Sequence, residues 1–140
     1  VRPTFDMIFM TLAQNLMGRS TCARLKVGCV IVSDDYQFVH GIGYNGNAKG
    51  FPNLCDSDEP GKCGCLHAED NAVIKCRAPA GQKLRVFCTH NPCVMCAKRL
   101  VNLGGVLTLH YGTEYRSTEG IAVLQQAGIE VFDRIEMSCP

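Results

Sequence analysis

Tryptophan is absent from the 140 residues, and tyrosine and phenylalanine number only 4 and 6. A chain that threads single-stranded nucleic acid wants stacking rings and a basic channel. Neither is offered here, because 14 Lys and Arg stand against 13 Asp and Glu, a formal net charge of +1. Nucleic acid and anionic membranes are therefore not expected as partners held by bulk charge. No apolar run approaches the ~18–20 residues of a membrane span. The opening Val1-Arg2-Pro3-Thr4-Phe5-Asp6 lacks the basic-then-apolar layout of a signal peptide, so a cytoplasmic location is expected. Internal repeats, low-complexity tracts and long linkers are missing too. One domain over residues 1–140 is the expectation, since ~100–200 residues is ordinary for a single core.

Cysteine is abundant, 10 in 140. In an oxidising compartment such a count suggests disulfides, and in a reducing one metal ligands or free thiols. Spacing separates these cases once the elements are placed. Phe5, Ile8, Phe9, Leu12 and Leu16 recur at helical intervals, predicting a helix over 5–17 with its apolar face on those residues. VGCVIVS at 27–33 reads as a buried strand, and 37–43 as its hairpin partner. Residues 44–66 form a polar, Gly- and Pro-containing loop whose length calls for a function or a metal to hold it. A helix over 67–77, a strand over 84–88, a helix over 93–103, a strand over 106–111, a helix over 118–127 and a strand over 129–132 complete the chain. That alternation predicts a three-layer α-β-α sandwich around a five-stranded mixed sheet.

Two short segments carry the chemistry: His67-Ala68-Glu69 and Pro92-Cys93-Val94-Met95-Cys96, each at a predicted helix start. A helix N-terminus presents unpaired N–H groups and a positive dipole end, which favour thiolate. Cys93 and Cys96, three residues apart in one turn, can face a single ion, and His67 can add a nitrogen from the other helix. One His and two Cys leave a fourth tetrahedral position open, as in catalytic rather than structural zinc sites. Glu69, two residues from His67, need not ligate and can serve as a proton shuttle. This set suits hydrolytic removal of ammonia from an amidine-like ring carbon.

H-x-E followed by P-C-x-x-C is the signature of zinc deaminases. Together with CARLKVGCVIV at 22–32, GYNG at 43–46, HAEDNAVI at 67–74, THNPCVMCAKRLVNLGG at 89–105 and YRSTEGIAVLQQAGIEV at 115–131, the sequence resembles the deoxycytidylate deaminases, including phage and bacterial forms. The resemblance covers most of the chain. It implies a cytidine-deaminase-like fold and conversion of dCMP to dUMP and ammonia, feeding thymidylate synthesis (in the host cytoplasm for a chain of phage origin). It implies zinc on His67, Cys93 and Cys96, with Glu69 as the acid–base group. Asn45 would meet the sugar hydroxyl, the backbone of Ala68 and Thr89 the pyrimidine edge, Arg24 the phosphate, and Tyr115 would close over the base. A hexamer, dCTP and dTTP as effectors, and Mg2+ accompanying a nucleotide effector are further implications. Some phage relatives hold a second, structural zinc in the region of Cys22, Cys55, Cys63 and Cys65, and four thiolates would order the long loop. The alternative for these four is free thiols, with or without one disulfide. Two departures stand out: Cys29 in place of a small Ala, and Asn47-Ala48-Lys49-Gly50 in place of a Pro-containing turn.

Other readings of the same residues stay open at this point. The substrate could be cytidine, a modified dCMP, a guanine-like base, or cytosine or adenine in a nucleic acid. A structural zinc or thiol-redox module is the reading from another class, and it leaves Glu69 without a role. Asn45 could simply be a turn residue. Arg24 and Arg116 could be surface charges. His40 and His110 are expected to be core or rim residues, His90 a pocket residue, Cys29, Cys76 and Cys88 core residues, and Cys139 incidental.

Overall fold

The computed structural model describes residues 2–115 and 117–133; Arg116 and Cys139 lie outside them. Four helices and five strands follow in the order α1 Phe5–Met17, β1 Gly28–Ser33, β2 Val39–Tyr44, α2 Ala68–Lys75, β3 Leu84–His90, α3 Val94–Leu103, β4 Val106–Thr113, α4 Glu119–Gln126 and β5 Glu130–Asp133. The strands form one sheet in the order β2-β1-β3-β4-β5. The β1–β2 and β1–β3 pairs are antiparallel, and β3–β4 and β4–β5 parallel. This is the mixed five-stranded sheet expected from the sequence.

β1 and most of β3 are buried on both sides, and their side chains alternate between two cores. Val30, Val32 and Phe87 face α1 through Phe9, Met10 and Ala13. Cys29, Ile31, Val86, Cys88 and Leu109 face the opposite way, toward α2, α3 and α4. The helical face of α1 differs from its expected one. Phe5 and Ile8 are exposed, whereas Met7, Phe9, Met10 and Ala13 are buried. The helix backbone approaches β1 so closely that position 28 must be glycine, because a Cβ there would stand 2.0 Å from the Ala13 carbonyl oxygen and 2.8 Å from the Met17 amide nitrogen.

Two strand boundaries also moved. β2 starts at Val39 because the Ser33 hydroxyl accepts from the Gln37 and Phe38 N–H groups and donates to Asp35, spending residues 34–38 on the turn. β3 runs on to His90 because the parallel ladder with β4 continues through the His90–Thr113 pair. Polar Thr89 and His90 thus sit in a strand, carried there by a partner that local pattern does not reveal.

α2 lies directly on β2. A Cβ on Gly43 would be 2.2 Å from the Ala68 carbonyl oxygen and 2.6 Å from the Ala72 amide nitrogen, so a bare glycine is what permits this contact. Both α2 and α3 begin at the same end of the sheet, where the parallel strands β3 and β4 terminate. Open α/β sheets place their sites at that edge.

Candidate active site

His67 is the N-cap of α2 and Cys93 the N-cap of α3; Cys96 lies one turn further on. The His67 Nδ1 is 3.2 Å from Cys96 Sγ and 3.6 Å from Cys93 Sγ. All three ligand atoms lie within 4.8 Å of one another. Zinc bonds of ~2.3 Å to sulfur and ~2.0 Å to nitrogen, at the tetrahedral angle, imply N–S separations of about 3.5 Å. The three groups therefore fit one tetrahedral ion. The Cys93 sulfur also accepts the Cys96 N–H at 3.5 Å, so the cap and the ligand are the same atom.

The two thiols are electrostatically unequal. The hydrogen bond from Cys96, then that from His67, draws Cys93 down to about 3, against burial. Cys96 moves the opposite way, raised first by sharing its proton with Cys93 and then by burial. Pairing with the Cys93 sulfur raises His67. Two thiol sulfurs and an imidazole nitrogen converging on one point form a soft donor set suited to zinc.

Glu69, in the first turn of α2, is 5% exposed. Burial lifts its carboxyl above the ordinary carboxylate range, and the Cys96 thiol and His67 pull it partly back. It is an acidic group buried beside a ligand trio, the environment that tunes a carboxyl for proton transfer near neutral pH. The next residue, Asp70, forms an ion pair with Arg99 at 3.0 Å and so ties α2 to α3.

A cavity of about 250 Å³ opens over these groups. Of the residues expected at a site, Arg24, Asn45, Cys63, Cys65, His67, Ala68, Glu69, Cys93 and Tyr115 line it, as does Cys22. Thr89, Cys55 and Cys96 do not. Thr89 is buried, its hydroxyl accepting from the Gly28 N–H at 3.1 Å and meeting His90 Nδ1 at 2.9 Å. His90 lines the cavity, and burial lowers its pKa. Asn45 is committed to the backbone: its Oδ1 accepts from the Val27 N–H at 2.8 Å and its Nδ2 donates to the Leu25 carbonyl at 2.5 Å. It clamps the segment that carries Arg24. Arg24 is exposed and forms no ion pair among the described residues. Sequence reasoning missed Leu25, Val27 and Asn91, which also line the cavity. The available signal for Asn91 was a polar residue between a buried strand and a helix-opening Pro-Cys.

The long loop between β2 and α2 closes on a second cluster. Cys22–Cys63, Cys22–Cys55, Cys55–Cys63 and Cys55–Cys65 sulfur pairs are 3.6, 3.8, 3.3 and 3.8 Å apart. The edge of a zinc–thiolate tetrahedron is about 3.8 Å for ~2.3 Å bonds, so these four sulfurs also fit one ion. Burial pushes the Cys22 thiol up, but the Leu25 and Arg24 backbone together with Cys63 and Cys55 more than offset it, leaving about 7. Burial raises Cys65 and Cys63. Among the described residues no disulfide is formed.

A three-layer α/β sheet with an open N, S, S trio and a buried carboxyl at two converging helix starts defines a zinc-dependent deaminase type of site. The chain belongs to the family described as cytidine and deoxycytidylate deaminase zinc-binding region, whose model matches residues 3–113. It is 36% identical to the deoxycytidylate deaminase of Saccharomyces cerevisiae, over 94% of this chain and 45% of that protein. It is 33% identical to the deoxycytidylate deaminase of Schizosaccharomyces pombe, over 93% of this chain and 44% of that protein. The chain thus spans less than half the length of these two relatives. A solved structure of the dCMP deaminase from cyanophage S-TIM5, in complex with dCMP and dUMP, is 35% identical, with a TM-score of 0.82 over 95% of this chain and 98% of that one. No described helix is long and apolar enough to cross a membrane.

Proposed function

We propose that this chain hydrolytically deaminates dCMP to dUMP and ammonia. The observation that carries the reading is a buried Glu69 beside a His67, Cys93, Cys96 trio, with Glu69, His67 and Cys93 lining one cavity together with an exposed Arg24. Similarity to a phage enzyme solved with dCMP and dUMP supports the substrate.

Zinc held by the trio supplies Lewis acidity, which makes water a nucleophile near neutral pH. The remaining work falls to side chains. Glu69 accepts a proton from the attacking water and delivers it to the ring nitrogen N3. A second proton then passes through the same carboxyl to the exocyclic nitrogen, which departs as ammonia while the C4 carbonyl forms. Atoms balance as dCMP plus water giving dUMP plus ammonia. A carboxyl raised above the ordinary carboxylate range by burial is a better proton donor in the second half of that transfer than an exposed one. Arg24 offers the phosphate a guanidinium at the cavity wall, and Asn45 offers the sugar hydroxyl its remaining amide hydrogen and lone pair. Ala68 and Thr89 offer the pyrimidine their backbone, and Tyr115 covers the base. The Cys22, Cys55, Cys63, Cys65 tetrahedron takes a second, structural zinc. Hexameric assembly, control by dCTP and dTTP, and Mg2+ with a nucleotide effector rest on the family resemblance, as does a cytoplasmic setting.

The test is a deamination panel on protein of measured zinc content. Ultraviolet loss of the cytosine amine is followed for dCMP, CMP, deoxycytidine, dCTP and a cytosine-containing single strand, each with and without dCTP or dTTP and Mg2+. Preferential turnover of dCMP at two zincs per chain is expected. Preference for deoxycytidine or the strand would remove the phosphate assignment.

A further inference from the structure

We propose that Asn91 is a positioning residue that clamps the β4–α4 connection against the cavity and thereby holds Tyr115 in the substrate-binding wall. Asn91 stands between the last residue of β3 and the Pro92-Cys93 pair that opens α3. It is 4% exposed and lines the cavity. Its side chain uses both ends on one segment. Oδ1 accepts the Tyr115 backbone N–H, and Nδ2 donates to the Ser117 carbonyl at 2.7 Å. A primary amide is the side chain that does this, being donor and acceptor in one plane. Buried, it has strong reason to keep both bonds, because leaving either end unpaired is costly.

A second contact presses the same segment onto the same support. The start of α4 rests on the Pro92-Cys93 backbone, where a Cβ on Gly120 would lie 2.1 Å from the Pro92 carbonyl oxygen and 2.9 Å from that of Cys93. The segment is thus docked at Tyr115 and Ser117 by a side chain and at Gly120 by bare backbone. The three-residue link 91–93 serves two purposes: Cys93 supplies one sulfur of the trio, and Asn91 grips the segment that carries Tyr115. Substrate binding is the step this grip controls, since Asn91 has no contact with Glu69 or with the ligand atoms among the described hydrogen bonds.

The consequence for substrate rests on the dCMP reading above; the clamp itself does not. The experiment compares wild type with Asn91→Ala, Asn91→Asp and Tyr115→Ala, reading zinc content, steady-state kinetics on dCMP and site-resolved amide hydrogen exchange. In Asn91→Ala the Tyr115 amide is expected to exchange at least tenfold faster, with exchange in α3 and zinc content unchanged. KM for dCMP rises about tenfold, for the loss of two hydrogen bonds, while kcat stays within about threefold. Asn91→Asp keeps the acceptor, so Tyr115 stays protected and KM falls between wild type and Asn91→Ala. Adding Asn91→Ala to Tyr115→Ala changes KM little further. Unchanged exchange at Tyr115 in Asn91→Ala overturns the clamp. Loss of zinc, or a fall in kcat at constant KM, also overturns it and assigns Asn91 to the Cys93 ligand geometry. Exchange needs no turnover, so a wild type inactive toward dCMP removes the substrate reading and leaves the clamp judged on exchange alone.

Discussion

Glu69 and Arg24 divide the proposed reaction between chemistry and binding, and single substitutions separate them. Glu69→Gln is nearly isosteric and leaves the three ligand atoms in place. It is expected to retain zinc and the fold while kcat drops roughly 10²–10⁴-fold, the usual worth of a positioned acid–base group; zinc analysis beside turnover checks it. Arg24→Ala removes a charge-assisted contact to phosphate, worth about 1.5–3 kcal/mol. KM for dCMP should rise about tenfold or more, whereas KM for deoxycytidine, which has no phosphate, should hardly change. Equal effects on both would mean that Arg24 supports the loop rather than the phosphate. At this scale the sequence was most legible where chemistry demands a residue type. His67, Cys93 and Cys96 converge as their spacing implied, because soft ligands at helix starts have few other uses. Asn91 was not legible, because its role lies in two backbone groups more than twenty positions away.

Helix starts and the loop between them govern the site at the scale of elements. α2 and α3 are set by Gly43 beneath one and by the β3 ladder leading into the other. The loop of residues 45–67 has little regular structure to hold it; its one isolated bridge joins Gly46 to Leu66. In the proposed reading, a zinc on the Cys22, Cys55, Cys63, Cys65 cluster supplies the fastening. Cys55→Ser removes the sulfur that approaches the other three, so zinc should fall from two per chain toward one. Melting should come roughly 5 °C lower, and the loop should be cut faster by protease. KM should rise as well, because Cys63 and Cys65 form part of the cavity wall. Zinc counting with limited proteolysis decides it; an unchanged count of two would exclude Cys55 as a ligand.

One face of the sheet carries a titratable group that couples the whole molecule to pH. His110, 5% exposed, stacks between Phe87 at 4.6 Å and Phe132 at 5.0 Å, and its Nε2 meets the Thr108 hydroxyl at 3.1 Å. Burial lowers its pKa below the ordinary 6.5, against the pull of Asp6 and with the help of Arg85. Below about pH 6.5 the unfolded chain takes up a proton at this position before the native one does. The stability that neutral His110 contributes is therefore present above that pH and lost as pH falls toward the lowered native value. His110→Phe keeps the stack and removes the titration, so urea unfolding at pH 7.5 and 5.5 should show a smaller acid loss than in wild type. An identical acid loss would clear His110 of the effect. The sequence by itself determined the alternation of helices and strands, the mixed sheet and which His and two Cys the fold brings together as a candidate ligand trio, because periodicity, caps and ligand chemistry are local properties. Only the tertiary structure decided which face of α1 is buried, how far β3 extends, that four distant sulfurs make a tetrahedron, and that Asn45 and Asn91 spend their amides on backbone. Those depend on partners brought together across the sheet, and no local pattern encodes the distance between them.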